Sequence, residues 1–172
     1  MAEARQSKFT IEPLENYHRR AAFSSGVEQL DRYLHTQALQ DLKKHAAVPF
    51  VLTEDGTAIA GYYTLSQFAV ELDAVPDDVA RRLPKYPMVP ATLLGRLAVS
   101  QHYRGQGLGE LLLMDALRRS LQMSKQIASA AVVVDAIDEA AVTFYKKYSF
   151  VALPGITRRL FLPIGTIQRI FP

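Results

Sequence analysis

Three glycines at alternate positions, Gly105, Gly107 and Gly109, separate an apolar segment that ends at Val99 from a leucine-rich segment that begins at Leu108. Because glycine has no Cβ and tolerates a positive φ, consecutive backbone N–H groups of such a loop can turn toward one anion. A helix that starts at the loop adds its unpaired N–H groups and the positive end of its dipole. The pattern therefore indicates a site for phosphate or diphosphate, with Arg104 placed to add a charge-assisted contact.

Two common phosphate loops do not match this segment. The dinucleotide fingerprint is G-x-G-x-x-G, whereas the spacing here is G-x-G-x-G, and Arg96 to Val99 is not the first strand of the chain. The nucleoside-triphosphate loop ends in Gly-Lys-Ser/Thr, whereas Gly109 is followed by Glu110 and Leu111. The simplest alternative is a glycine-rich turn that opens an ordinary helix, and the loop alone does not decide between the two.

Size and composition favour one globular domain covering residues 1–172. The chain has 172 residues, 49% of them hydrophobic and 22% charged, which argues against disorder. It has no apolar run long enough to span a bilayer, and the segment before Phe9 has no apolar signal core. The absence of cysteine excludes disulfides and thiolate metal sites and fits a cytoplasmic protein. The histidines have no metal-ligand spacing, so we expect no metal and surface positions for all four (His18, His35, His45 and His102).

Positive charge is concentrated in the C-terminal half. Residues 96–172 contain 10 Lys and Arg against 5 Asp and Glu, whereas residues 51–95 contain 3 against 6. Paired cations are most often a solvated face. The alternative is a surface for the phosphates of a ligand or for a nucleic-acid backbone.

The first half of the chain has the pattern of one helix and a hairpin. Residues 9–15 alternate as a short strand, and Ser25 with Glu28 forms a capping box for a helix that we expect to reach about Lys44. Asp55-Gly56 between two apolar runs predicts a hairpin of residues 48–54 and 58–65. We expect a short helix from Pro76 to about Leu83, and then an extended connector that contains Pro84, Pro87 and Pro90.

The second half alternates strands and helices. The pattern predicts strands at 92–99 and 130–135, helices at about 108–121 and 138–148, and two final strands at 149–153 and 159–163. Together with the hairpin, this order predicts the α/β class, with a mixed, mostly antiparallel sheet and helices on both faces.

The loop resembles the acyl-CoA loop of the GCN5-related N-acetyltransferases (GNAT), written Q/R-x-x-G-x-G/A, with Arg104, Gly107 and Gly109 in register. The order of elements is also that of the GNAT fold. The resemblance implies acetyl-CoA as cosubstrate and a central strand pair that splays where CoA enters. The cofactor-binding residues it implies are Leu97, Ala98, Val99, Arg104, Gly105, Gln106, Gly107, Leu108, Gly109 and Phe144.

A second resemblance identifies a catalytic candidate. The family commonly ends its last helix with A-x-x-x-Y-x-x-x-G-F, which this chain matches from Ala141 to Phe150, except that Ser149 replaces glycine. The resemblance implies that Tyr145 protonates the departing CoA thiolate. A phenol with a pKa near 10 can donate to a thiolate with a pKa of about 8.5 when proton transfer is coupled to bond breaking. The alternative is that Tyr145 is a helix-surface aromatic residue, and we expect Tyr148 to lie in the core.

The central strand, residues 92–99, contains no carboxylate. Many relatives that acetylate lysine or aliphatic amines have a carboxylate there as general base. A lysine amine has a pKa of about 10.4, whereas an α-amino group has one of about 7.7–8.0, and an ester at the same carbon lowers it further. The missing base therefore favours a weakly basic amine, with water accepting the proton.

A third resemblance, to the GNAT toxins of bacterial toxin–antitoxin pairs, extends the similarity to residues 23–161. Their F-x-C/S-G-x-x-x-L-D/N-x-x-L segment is similar to Phe23–Leu34, and Ala38–Asp41 is similar to their following A-L-Q-D segment. The resemblance implies acetylation of the amino group of aminoacyl-tRNA, a ribbon-helix-helix antitoxin and a homodimer. Candidate tRNA contacts are Arg96, Lys146, Lys147, Arg158 and Arg159.

Two alternatives to a toxin stay open. One is a GNAT enzyme that acetylates a small-molecule amine or a peptide. The other is an inactive acyl-CoA-binding module, which the intact Arg104, Gly107, Gly109 and Tyr145 disfavour.

Overall fold

A computed structural model describes residues 8–172 of the chain. Residues 1–7, which include most of the segment noted for its lack of a signal core, lie outside the described residues. The chain divides into two compact units. The first unit combines the described residues up to Ser66 with Gly95–Ala116, and the second combines Gln67–Leu94 with Leu117–Pro172.

Within residues 8–172, seven strands form one mixed sheet in the order β1-β2-β3-β4-β5-β7-β6. The strands are β1 (Thr10–Pro13), β2 (Val48–Thr53), β3 (Ile59–Glu71), β4 (Met88–Val99), β5 (Ala131–Asp135), β6 (Val151–Ala152) and β7 (Arg159–Pro163). The pairs β1–β2, β2–β3, β5–β7 and β6–β7 are antiparallel, and β4–β5 is parallel. The predicted α/β class with a mixed, mostly antiparallel sheet is confirmed.

The helices of the described chain are α1 (Glu28–Thr36), α2 (Ala38–Lys43), α3 (Asp77–Ala80), α4 (Leu108–Met123), α5 (Glu139–Lys147) and α6 (Ile164–Ile170), with 3-10 turns at Leu72–Ala74 and Gln101–Tyr103. The long helix α4 connects the parallel strands β4 and β5, as a parallel pair requires. The sequence analysis missed α6. This helix has only seven residues and contains Gly165, so its pattern is too short to show helical periodicity.

The predicted single helix up to about Lys44 is wrong, because the chain breaks at Gln37 between α1 and α2. Leu34 and Ala38 keep helical i,i+4 spacing across the break and are both fully buried, so periodicity could not reveal it. The predicted capping box is also wrong. The N-cap is Val27, with no side-chain cap, and the Ser25 hydroxyl donates instead to Asp31 Oδ1 at 2.6 Å.

Both central strands are longer than predicted. The hairpin around Asp55-Gly56 is confirmed, but β3 continues to Glu71 instead of ending near Leu65. Strand β4 begins at Met88, so Pro90 lies inside the strand instead of in the connector. Proline cannot donate to the ladder but still accepts, and the Ala130 N–H donates to the Pro90 carbonyl at 2.8 Å.

Each unit has its own hydrophobic cluster. In the first, residues of β2, β3, β4 and the α1–α2 segment pack together with two residues of the connecting segments, Leu14 and Phe23 (Leu14, Phe23, Tyr33, Leu34, Ala38, Val51, Ile59, Tyr62 and Ala98). In the second, the cluster combines residues of β3, β4, β5 and β7 with the α3 region and with Leu153, which follows β6 (Val70, Val75, Val79, Leu83, Ala91, Ala131, Val133, Leu153 and Phe161). Packing in the first unit is tight at Gly61, where a Cβ would come within 2.8 Å of Leu112 Cδ1 and 3.0 Å of the Ala98 carbonyl oxygen.

The expectation that all four histidines lie on the surface is wrong for His18, whose exposed fraction is 2%. Its Nδ1 accepts from the Glu15 N–H at 2.9 Å, so Nε2 carries the hydrogen and donates to Glu12 Oε1 at 2.8 Å. Both ring nitrogens are therefore used in holding the segment after β1. Across residues 8–172, no group of three or more His, Asp or Glu side chains could hold a metal ion.

Candidate functional site

The glycine loop of the first unit has the predicted positive φ at Gly105 and Gly107, whereas Gly109 lies in the first turn of helix α4. After the 3-10 turn at Gln101–Tyr103, Arg104 is extended, and Gly105 and Gly107 have φ angles of +78° and +75°. Helix α4 begins at Leu108, and the Leu111 N–H donates to the Gly107 carbonyl at 3.2 Å. A 16-residue helix thus presents its N-terminal N–H groups at the end of an exposed loop.

The loop is also open on the side of its glycines. Gly105 and Gly107 are both exposed, and a Cβ built on Gly105 would meet nothing within 4 Å. The backbone amides of this segment are therefore open to an incoming anion. The positive φ explains the glycines, because other residues are strained in this region.

The Arg104 side chain is held by a neighbouring turn of the same unit. Its Nη2 donates to the Ser25 carbonyl oxygen at 2.5 Å, and the Gln101 N–H donates to the Ser24 carbonyl at 2.8 Å. The sequence analysis did not find this contact, because the acceptors are main-chain carbonyls that no side-chain pattern reveals. A weak signal existed in the toxin-like Ser25-Gly26 segment, which lies in this turn.

The residues of β4 before the loop alternate between the core and the opposite side of the strand. Ala98 belongs to the cluster of the first unit, and its neighbours Leu97 and Val99 are half-buried. At the end of the strand, the Ser100 N–H donates to the Ala60 carbonyl at 2.8 Å. The proposed role of these three residues in binding CoA stays a prediction.

Arg96 lies on β4 with its guanidinium carbon 3.5 Å from the centroid of the Tyr33 ring. The Tyr33 hydroxyl donates to Asp41 Oδ2 at 2.8 Å, and burial raises the pKa of Tyr33 well above its ordinary value, with the bond to Asp41 adding to the effect. The phenol therefore stays neutral, and its ring is a platform for the Arg96 cation.

Tyr145 is the central aromatic residue of helix α5 in the second unit. Its exposed fraction is 6%, and its ring makes edge contacts with Phe144 and Phe150 at centroid distances of 5.2 and 5.4 Å. Burial raises the pKa of its phenol well above the ordinary value of 10, so the hydroxyl stays protonated at neutral pH. The alternative that Tyr145 lies on the helix surface is wrong.

The expectation for Tyr148 is wrong as well. Tyr148 is half-buried against Phe144, with its ring centroid 5.3 Å away, whereas Tyr145 is buried. Helix α5 begins at Glu139, and the N-cap residue Asp138 accepts from the Ala141 N–H at 2.8 Å. Tyr145 therefore lies on the buried side of the helix, and Tyr148 is the partly exposed residue at its C-terminal end.

Ser149 has a φ of +73°, which explains why glycine is usual at this position of the family pattern. The chain reverses there to end helix α5, with the Ser149 N–H donating to the Lys146 carbonyl at 3.1 Å and the Phe150 N–H to the Tyr145 carbonyl at 3.4 Å. Serine therefore holds a strained backbone next to the catalytic candidate.

The four candidate cations of the second unit differ in their surroundings. Lys146 and Lys147 are exposed at the end of α5. Arg159 forms a two-pronged pair with Asp135, at 2.7 and 2.9 Å, and is exposed by only 22%. Arg158 is more exposed than Arg159 but also has partners: its Nε is 3.3 Å from Glu139 Oε1, and its Nη1 donates to the Ile137 carbonyl. A phosphate would compete with existing partners at the two arginines.

Comparison with known proteins assigns these elements a family. The model of the acetyltransferase (GNAT) family matches residues 11–150. A probable toxin TacT from Sinorhizobium fredii is 35% identical over 177 residues, covering 98% of both chains. A tRNA-acetylating toxin from Mycobacterium tuberculosis is 37% identical over 133 residues, covering 77% of this chain and 78% of that protein.

Solved structures are similar over nearly the whole chain. The structure of AtaT complexed with acetyl-methionyl-tRNAfMet is 29% identical with a TM-score of 0.88, covering 95% of this chain and 99% of that one. A mutant AtaT toxin bound to the C-terminus of the antitoxin AtaR and to acetyl-CoA is 27% identical with a TM-score of 0.82, covering 95% and 98%. Among residues 8–172, no helix is both long and apolar enough to cross a membrane.

Proposed function

Since the chain belongs to the GNAT acetyltransferase family, we propose that it is a toxin that transfers acetyl from acetyl-CoA to the amino group of aminoacyl-tRNA and so blocks translation. The observation that supports this most strongly is the similarity along nearly the full chain to AtaT, whose structure contains acetyl-methionyl-tRNA. The 37% identity to a tRNA-acetylating toxin supports the same acceptor.

The donor site in this proposal is the glycine loop. Acetyl-CoA supplies the activated acetyl thioester. The backbone amides around the exposed Gly105 and Gly107 and the N-terminus of α4 bind its diphosphate, because N–H groups and the helix dipole favour negative charge there. Residues 97–99 offer main-chain groups to the pantetheine arm. Phe144 is the remaining cofactor-binding residue of this proposal.

Tyr145 is the general acid in this proposal. Its buried phenol stays protonated at neutral pH, so the proton is present when the thiolate leaves. The same raised pKa makes the phenol a weaker acid, so proton transfer has to be concerted with cleavage of the carbon–sulfur bond. The proposal requires the Tyr145 hydroxyl to reach hydrogen-bonding distance of the CoA sulfur in the complex.

The acceptor amine fits a site without a carboxylate base on β4. An α-amino group next to an ester is largely neutral at physiological pH, so it can attack the thioester carbonyl and then lose its proton to water. For the nucleic acid itself, we propose phosphate contacts by the exposed Lys146 and Lys147, and by Arg96, Arg158 and Arg159.

The remaining features of the proposal concern assembly. We propose a neutralising antitoxin partner, supported by the complex of AtaT with the C-terminus of AtaR. The resemblance to the GNAT toxins supports two further parts of the proposal. The antitoxin has a ribbon-helix-helix fold, and the toxin is a homodimer in the cytoplasm, where charged tRNA is used. Both compact units belong to one acetyltransferase domain in this proposal, since the family match over residues 11–150 includes segments of each.

Expression of the protein and of its Tyr145→Phe variant tests the proposal. We expect growth arrest and loss of protein synthesis with the wild type and neither with the variant, because phenylalanine keeps the ring but removes the proton donor. Purified enzyme is then offered charged tRNA, polyamines and an aminoglycoside. Acetylation of the small amines without acetylation of charged tRNA would favour the alternative, a small-molecule acetyltransferase.

A further inference from the structure

We propose that Asp31 is a positioning residue for CoA binding, which acts through the turn Ser24-Ser25-Gly26 on the loop that begins at Arg104. The inference rests on the proposed donor site. It assigns a role to the segment before helix α1, which the sequence alone marks only as part of the toxin-like pattern.

Asp31 fixes the turn through one carboxylate oxygen. Its Oδ1 accepts both from the Ser25 N–H at 2.8 Å and from the Ser25 hydroxyl at 2.6 Å. The hydroxyl is in turn 3.2 Å from the Val27 N–H, which donates to it. Ser25 is 4% exposed and Asp31 is half-buried, so the serine end of these bonds is shielded from water. Hydrogen bonds to a charged acceptor are shorter and stronger than neutral ones, and the turn is therefore held firmly.

The fixed turn then holds the loop at two points. The Ser25 carbonyl accepts from Arg104 Nη2 at 2.5 Å, and the Ser24 carbonyl accepts from the Gln101 N–H at 2.8 Å. These bonds flank the 3-10 turn that leads into the glycine loop. The carbonyls of the turn thus define where residues 101–104 lie, and so where the amides after them point.

Gly26 makes this contact possible. Its φ is +88°, and a Cβ at this position would overlap Gln101 Nε2 and come within 3.2 Å of Arg104 Nη2. Glycine adopts this backbone turn without strain, and any other residue would also force the ends of the Gln101 and Arg104 side chains to shift. Asp31, Ser25 and Gly26 are therefore linked by direct contacts to the residues that lead into the glycine loop.

A flexible glycine loop needs such support, because amides that bind an anion well must be ordered before the anion arrives. If Asp31 supplies this order, its loss weakens the interaction with the diphosphate and leaves the interaction with the pantetheine arm unchanged. The loss of a residue that only stabilised the fold would weaken binding of both the diphosphate and the pantetheine arm, or of neither.

The test measures binding of CoA and of pantetheine, which lacks the diphosphate and nucleotide, by calorimetry. We expect Asp31→Ala to bind CoA about tenfold more weakly and pantetheine as the wild type does. Asp31→Asn keeps an acceptor oxygen and should retain most of the affinity. Gly26→Ala should resemble Asp31→Ala. The matched control is Glu28→Gln, which removes one negative charge from the same helix at an exposed position, where Glu28 pairs with the surface residue Arg32.

Each outcome has one meaning. Wild-type affinity of Asp31→Ala or Gly26→Ala for CoA would overturn the positioning role, as would an equal loss for CoA and pantetheine. If Asp31→Ala does not fold, Gly26→Ala decides the question by the same comparison, and its wild-type affinity for CoA overturns the role. Failure of the donor site itself is recognised separately, because the wild-type protein would then bind CoA no better than pantetheine.

Discussion

Replacement of Gly107 by alanine separates the two reasons for a glycine in the loop, conformation and ligand binding. The φ of Gly107 is +75°, a region that costs a non-glycine residue about 1–2 kcal/mol. The alanine also restricts the unfolded chain, which returns about 0.4–1 kcal/mol. We therefore expect a net loss of about 1 kcal/mol in the free energy of unfolding, or roughly 2–4 °C in Tm for a domain of this size.

Gly56 provides the matched control. It lies in the β2–β3 turn with a φ of +86°, and a Cβ there would meet nothing within 4 Å. Gly56→Ala therefore has nearly the same conformational cost in the same unit, without touching the loop. Urea unfolding of both variants should give similar losses of stability.

Calorimetry with CoA then distinguishes the two variants. We expect Gly56→Ala to bind CoA as the wild type does, and Gly107→Ala to bind it at least about tenfold more weakly, because the methyl group and the shifted amides disturb the diphosphate contact. Equal CoA affinity of the two variants would refute the assignment of the loop as the diphosphate site.

Four further predictions concern the second unit. Ser149→Gly should raise the free energy of unfolding by about 0.5–1 kcal/mol, because it relieves a φ of +73°, and an unchanged or lower stability in urea would contradict this. Arg159→Lys should lower stability by about 1 kcal/mol in the same assay, since lysine cannot form the two-pronged pair with Asp135 at 2.7 and 2.9 Å, whereas wild-type stability would show that the pair contributes nothing. The double variant Lys146→Ala, Lys147→Ala should have a smaller slope of log Kd for tRNA against log salt concentration, by about one for each phosphate that the two lysines neutralise in the wild type. An unchanged slope would show that neither lysine contacts a tRNA phosphate. Burial raises the pKa of Tyr145, so its contribution to the free energy of unfolding is complete below about pH 10 and is lost as the pH rises toward the folded pKa. Above pH 10 the wild type should therefore lose about 1.4 kcal/mol of unfolding free energy per pH unit more than Tyr145→Phe. The same dependence of unfolding free energy on pH in both proteins would contradict a buried phenol.

The sequence predicted those parts of the fold and site that depend on local chemistry. Alternate glycines indicated positive φ, and Gly105 and Gly107 have it. Asp55-Gly56 indicated the hairpin, and the apolar pattern indicated α4 and β5. In each case a few neighbouring residues determine the conformation, so a short window of sequence contains the information.

The sequence could not predict features that depend on contacts between distant segments. His18 is buried because Glu12 and the Glu15 N–H use both of its ring nitrogens, and no periodicity shows this. The support of Arg104 comes from a main-chain carbonyl 79 residues away. The break at Gln37 preserves helical spacing on both sides, and so it left no trace in the apolar pattern.

The central claim, acetylation of charged tRNA with Tyr145 as the acid, is tested most directly by mass spectrometry of bulk charged tRNA after incubation with the enzyme and acetyl-CoA. We predict a mass increase of one acetyl group on the amino group of at least one aminoacyl-tRNA with the wild type, and none with Tyr145→Phe. Unmodified aminoacyl-tRNA with an enzyme that binds acetyl-CoA, or equal acetylation by both proteins, would contradict the claim.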